Sequence, residues 1–154
     1  MREIPKKNYV IMTIIVLVII VTTILLAQVY NNSFRKTSIM YNYLSEIKKG
    51  DIDTYLTEKP NIILYITDKY DISNENIEQK IKNKIIKYNI KDYFVFLDLN
   101  QENLNYIEYL NEKYDGTLES KIPMIIIFEE GTIKNAYYDL ENINFEQIME
   151  DIKW

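Results

Sequence analysis

Residues 10–29 read VIMTIIVLVIIVTTILLAQV, twenty consecutive positions without a charge. Nothing else in the chain restricts its fold as strongly. Only Thr13, Thr22, Thr23 and Gln28 are polar within it. At 1.5 Å of rise per residue, a helix of this length crosses a hydrocarbon core of about 30 Å. A helix satisfies its own backbone in lipid, so the β-branched content is no obstacle there. The run is apolar on all sides, which argues against a buried amphipathic core helix. A cleavable signal peptide has a shorter apolar region and a small-x-small cleavage site; Leu25-Leu26-Ala27 is a poor one. The expectation is an uncleaved anchor. Small residues are few and no G-x-x-x-G pattern occurs, so anchoring is favoured over helix pairing.

Arg2, Lys6 and Lys7 precede the run, and Arg35 and Lys36 follow it. The positive-inside bias favours a cytoplasmic amino terminus. Long domains after a first span translocate largely regardless of their own charge. The expected organisation is a short basic tail (1–9), a transmembrane helix (10–29), a juxtamembrane linker (30–37) and a soluble domain (38–154). The chain is then a single-pass protein of the cell membrane, with its domain outside the cytoplasm.

Charge is split along the chain. Residues 1–36 carry +4 and residues 37–154 carry −9, for a net −5. An acidic domain is a poor match for nucleic acid, whose phosphates call for lysine and arginine. It is equally ill suited, taken as a whole, to lying on an anionic membrane surface. The 154 residues include no cysteine and no histidine. Disulfide exchange, thiolate or imidazole metal sites and every imidazole-based triad are thereby excluded. Carboxylates, lysine, tyrosine and hydroxyls are the remaining chemical repertoire. No phosphate loop, dinucleotide fingerprint, nucleophile elbow or twelve-residue calcium loop is present. No cofactor and no metal are expected.

Within the domain, Ile39, Met40, Tyr43, Leu44 and Ile47 recur at helical spacing, and Gly50 closes the pattern. Residues 61–67 (NIILYIT) form an apolar run of strand type. A polar loop over 68–73 leads to a helix bearing Ile77, Ile81, Ile85 and Tyr88. Ser73 is its expected cap, and Glu75 and Glu78 suit its first turns. Residues 92–99 (DYFVFLDL) predict a second strand. Leu104, Ile107, Leu110 and Tyr114 mark a helix from about Gln101, ended by Gly116. Residues 123–128 (PMIIIF) predict a central strand, because they are apolar throughout. Glu129-Glu130-Gly131 supplies a tight turn into an antiparallel strand over 132–138. Phe145, Ile148, Met149 and Ile152 make an amphipathic terminal helix. Strands separated by helices are expected to pair in parallel, giving a mixed four-stranded sheet between helices.

This order, with the segment KIPMIIIFEEGTI at residues 121–133, resembles the thioredoxin fold, a three-layer α/β/α arrangement. In that family a hydrophobic residue precedes a cis proline, and a strand, a charged glycine-ending turn and a second strand follow. ILYIT, FLDLNQENLNYIEYL and KIPMIIIFEEG are further similar to short, membrane-anchored thioredoxin-like proteins of low-GC Gram-positive bacteria. Some of those are labelled bacteriocin transport accessory proteins. Active members place Cys-x-x-Cys just after the strand corresponding to residues 61–67. Here Asp71 and Asn74 fall nearest those positions, with Tyr70 and Ser73 an equal alternative register. Neither pair forms a disulfide, so the family's redox activity is not carried over.

The resemblance implies a cis Pro123 facing the degenerate loop, and an Ile122 whose backbone meets an extended peptide. The plainer reading of Pro123 is a proline that opens a strand. Asp71 and Ser73 lie where a helix N-terminus stabilises anions, and their plainer role is capping. Tyr65, Tyr70, Tyr114, Tyr137 and Tyr138 are candidates for an aromatic recognition surface, against ordinary core filling. The expected partner site is therefore Tyr70, Asp71, Ser73, Asn74, Ile122 and Pro123. The leading expectation is a redox-inactive binding protein for a peptide or protein, accessory to export or immunity. Its competitors are a structural subunit of a membrane complex and a non-redox enzyme built on the same loop.

Overall fold

The computed structural model describes residues 6–33 and 36–152. The chain divides into two units, Met1–Lys36 and Thr37–Trp154. The first contains helix α1, Lys6–Ser33. Its stretch Asn8–Tyr30 is long and apolar enough to cross a membrane. The three threonines inside it donate to carbonyls four residues back: Thr13 to Tyr9 at 2.9 Å, Thr22 to Val18 and Thr23 to Ile19 both at 2.8 Å. Their hydroxyls are thus satisfied within the helix, as hydrocarbon requires. Residues 1–5 and Arg35, which bear on orientation, lie outside the described residues.

The second unit runs α2 (Ile39–Tyr43), β1 (Ser45–Ile47), α3 (Ile52–Glu58), β2 (Ile62–Thr67), α4 (Glu75–Tyr88), β3 (Phe94–Asp98), α5 (Asn105–Lys113), β4 (Met124–Glu129), β5 (Thr132–Tyr137) and α6 (Phe145–Asp151). The five strands form one sheet in the order β1-β3-β2-β4-β5. β1 and β2 pair with β3 in parallel, whereas β4 is antiparallel to both β2 and β5. Strand alternation sorts the core into two layers. Ile62, Leu64 and Ile66 face α3 and α5, with Ile107 and Leu110 opposite. Ile63 and Tyr65 face α2, α4 and α6, with Met40, Ile81 and Ile148 opposite. Each such aliphatic side chain removed from water contributes about 1.5–3 kcal/mol. The result is the thioredoxin-like three-layer α/β/α fold.

Three expectations need correction. The sheet has five strands, because the apolar pattern at 39–47 is not one helix. Met40 and Leu44 enter the layer with α4, while Ile47 enters the opposite layer. One straight helix cannot serve both faces of a sheet; a short helix followed by an edge strand does.

Second, β4 does not pair in parallel with β2. After α5, residues 114–122 run alongside β5: Ile133 N–H donates to Tyr114 O at 2.9 Å, and Glu119 N–H to the Tyr138 hydroxyl at 2.8 Å. This extra traverse returns the chain to the end where β3 left the sheet, so β4 enters reversed.

Third, the glycine assignments change. Asn89 and Asp115, each with φ 55°, supply the left-handed residues after α4 and α5. Gly116 matters for another reason: a Cβ there would stand 2.6 Å from Ile133 Cδ1. The 129–132 turn is as expected, with Glu130 at φ 52° and Gly131 at φ 78°, the paired positive values of a type I′ hairpin.

Candidate functional site

The carboxyl ends of β2 and β3 and the amino end of β4 lie together. Ile66 pairs with Met124, so the register sets Pro123 opposite Thr67, immediately before the loop 68–74. The Ile122–Pro123 peptide bond is cis. Ile122 and Pro123 are half-buried, and Ile122 packs on the α3/α5 layer.

The loop is built from its own polar side chains. Asp68 Oδ1 accepts the Tyr70 N–H at 2.8 Å, and Asp71 Oδ1 accepts the Ser73 N–H at 2.8 Å. These are Asx turns, in which a carboxylate takes the place of a backbone acceptor. Asn74 Nδ2 donates to Asp71 Oδ2 at 3.1 Å. Asp71 and Asn74 are therefore bonded to each other. Both Asp71 oxygens are engaged in holding the loop. The expected Ser73 cap is not formed: Asn74 is the N-cap residue of α4, without a side-chain capping bond, and Ser73 offers its N–H to Asp71. Tyr70 and Ile72 stand 40 % and 45 % exposed, so the loop presents apolar surface from an ordered backbone.

Lys69 fastens the loop to β3. Its N–H donates to Asp98 Oδ1, and its Nζ lies 3.0 Å from Asp98 Oδ2. That bond raises the Lys69 ammonium above its ordinary value. The same Nζ sits over the rings of Tyr41 and Tyr70, 5.7 and 5.3 Å from their centroids.

Beneath the loop lies Glu78, in the first turn of α4 as expected but only 1 % exposed. Its carboxylate accepts from Ile39 N–H at 2.7 Å, Ser38 Oγ at 2.8 Å, the Tyr65 hydroxyl at 3.0 Å and Met40 N–H at 3.4 Å. Ser38 in turn caps α2 by accepting from Tyr41 N–H and donates its own N–H to Lys69 O. Burial, followed by the nearby Glu78 charge, pushes the Tyr65 hydroxyl far above its ordinary range. The available signal was spacing: residues 78, 81 and 85 share one helical face, and Ile81 and Ile85 are core.

The five tyrosines do not form one surface. Tyr65 and Tyr114 are buried in opposite layers. Tyr137 donates to Asp151 Oδ2 at 2.5 Å, and Tyr138 accepts from Glu119. Of the five, Tyr70 alone is exposed.

At the far end of the sheet, Asp53 on α3 receives the hydroxyls of Tyr109 and Tyr114 and the ammonium of Lys113. The Lys113 bond, then the Tyr114 bond, hold its carboxyl down at about 2. An open depression of about 300 Å³ adjoins it, lined by Leu56, Thr57 and Gly131 among others. A second, of about 210 Å³, lies between 115–118 and β5. Among the described residues no three acidic side chains converge as a metal site.

No protein-family model and no curated protein matches the chain. Solved structures similar to it are thioredoxins. That of Fasciola hepatica is 15 % identical with a TM-score of 0.46, over 71 % of this chain and 96 % of that one. Thioredoxin f2 of Chlamydomonas reinhardtii is 12 % identical with a TM-score of 0.48, over 71 % and 93 %. Oxidized thioredoxin O2 of Arabidopsis thaliana is 12 % identical with a TM-score of 0.45, over 73 % and 96 %. The fold class itself rests on the strand order and connections described above.

Proposed function

We propose that this chain is a membrane-anchored thioredoxin-like binding protein that has no redox chemistry. Its domain stands outside the cytoplasm and holds a peptide or protein through Tyr70, Asp71, Ser73, Asn74, Ile122 and Pro123. Its place is as an accessory to an export or immunity system of the bacterial envelope, the role suggested by its likeness to the membrane-anchored Gram-positive type. The observation that carries the reading is the loop itself. Three internal side-chain contacts and the two bonds of Lys69 to Asp98 fix its backbone, while Tyr70 and Ile72 are left exposed at its tip. A prepaid backbone lowers the ordering cost of binding, and an exposed aromatic beside an aliphatic residue is a common interface anchor. The absence of cysteine removes dithiol exchange and leaves recognition. The anchor raises the local concentration for any partner held in the same membrane.

Two measurements test this. A photo-crosslinking residue at Ile72 should give a discrete adduct in producing cells, and Asp71→Ala, which releases the loop, should abolish it. Adducts equally strong from Ile72 and from the remote Ile86 would refute the site. Glu119→Cys, in a chain without native thiols, should react with an impermeant reagent in intact cells. Reaction only after lysis of a full-length, inserted chain would place the domain in the cytoplasm and overturn the export reading.

A further inference from the structure

The domain's charge of −9 conceals one strongly basic surface. From Gln79 to Lys91 there are five lysines and no acid. Lys80, Lys84 and Lys87 recur at i, i+4 and i+7 along α4, and all three are exposed, as is Lys91 just beyond it. Lys82 and Lys91 rest on Tyr43, 4.9 and 4.5 Å from its ring centroid. The ion pairs among the described residues use Lys69, Lys113 and Lys134, so none neutralises this helix. Ile86 lies within this stretch and Tyr93 two residues beyond it, 56 % and 45 % exposed. Aliphatic and aromatic side chains amid lysines are the composition of an interfacial membrane face. The acids flanking this stretch are the buried Glu78, with Glu75 in the same first turn of α4, and Asp92; α6, in the same layer, carries Glu146, Glu150 and Asp151.

From this we infer that the outer face of α4 binds anionic lipid headgroups of the membrane that holds the chain. The inference rests on the membrane-anchored reading. Two further observations favour lipid over a soluble acidic partner. On that reading only three residues separate Ser33, the last residue of α1, from Thr37, the first of the domain, so lipid is the ligand at highest local concentration. The domain's first residues, Ser38 to Met40, are bonded to Glu78 of this same helix, so α4 adjoins the point where the tether joins the domain. Lysines near an anionic surface act additively and within a Debye length.

The test uses the full chain carrying Asn83→Cys, an exposed position on the outer side of α4, labelled with a fluorophore. It is reconstituted into vesicles of phosphatidylcholine, alone or mixed with phosphatidylglycerol, containing a headgroup-linked quencher. Quenching is expected in the mixed vesicles and not in phosphatidylcholine alone. Raising salt from about 0.1 to about 1 M, which shortens the Debye length from about 10 to about 3 Å, should abolish it. The triple variant Lys80→Gln, Lys84→Gln, Lys87→Gln should reduce the docked-to-free ratio about fivefold per charge removed. The matched arginine triple should retain docking and shows that any loss is not misfolding. A label at Glu119→Cys should not respond to lipid charge. Quenching that ignores lipid charge or the lysines overturns the inference. So does a label indifferent to lipid but responsive to soluble polyglutamate, which assigns the face to an acidic protein. A chain that fails to float with either vesicle refutes the anchored reading, and this inference with it. A chain that floats without charge-dependent quenching refutes this inference alone.

Discussion

Glu78→Ala removes the acceptor shared by three donors within 3.0 Å, the Ile39 N–H, Ser38 Oγ and the Tyr65 hydroxyl. A buried donor left without an acceptor costs about 1–3 kcal/mol. The two hydroxyls can rotate, which sets them at the low end, and the Ile39 N–H is fixed by α2. Loss of a desolvated carboxylate offsets part of the total. The expected destabilisation is about 3 kcal/mol, a large share of the roughly 5–15 kcal/mol typical of a domain. Glu78→Gln keeps the volume and one acceptor oxygen. Its amide can donate to the Ser38 and Tyr65 hydroxyls, which both accept, so it should cost about 1 kcal/mol. Urea unfolding of the full chain in detergent, followed by circular dichroism, measures both. The midpoint should fall in the order wild type, Gln, Ala, at unchanged slope. An alanine variant within about 0.5 kcal/mol of wild type, or at least as stable as the glutamine variant, would refute the claim that this carboxylate ties α2 to α4.

Gly131→Ala places a side chain at φ 78° with no steric contact; the cost should be about 1 kcal/mol in thermal unfolding, from backbone strain alone. Asp53 titrates at about 2 in the fold against 3.8 ordinarily, so its contribution is full above about pH 4 and is lost as pH falls through 2. The stability gap between wild type and Asp53→Asn should therefore be constant above that pH and shrink below it; a gap that widens in acid would refute the assignment. Asp98→Asn releases Lys69 and should speed hydrogen exchange at Lys69 and Tyr70 without changing exchange in β4.

Much of this architecture was legible from local patterns. NIILYIT, DYFVFLDL and PMIIIF became β2, β3 and β4 because runs buried on both faces need no partner to reveal them. Glu130-Gly131 declared the hairpin. What stayed hidden depends on distant chain. β1 is three residues long and pairs on one side only, so its strand character comes from β3 and not from Ser45–Ile47. The reversal of β4 is decided by residues 114–122, whose track along β5 leaves no periodicity to read. At the candidate site the sequence names residues but not what they bond to. Asp71 and Asn74 were placed by resemblance, whereas their bond to each other, and the inward turn of Glu78, required the fold.

The fastening at Ser38 has a mechanical consequence. Thr37 and Ser38 are the first residues of the second unit, and so the first to receive any pull that arrives along the chain from the amino-terminal side. Such a load meets the Ser38–Lys69 hydrogen bond and the Glu78 carboxylate before it reaches a sheet pairing. The loop bearing Tyr70 and Ile72 therefore lies on the load path ahead of β1 and β3. A pull arriving through Ser38 would load that loop before it loads the sheet behind it.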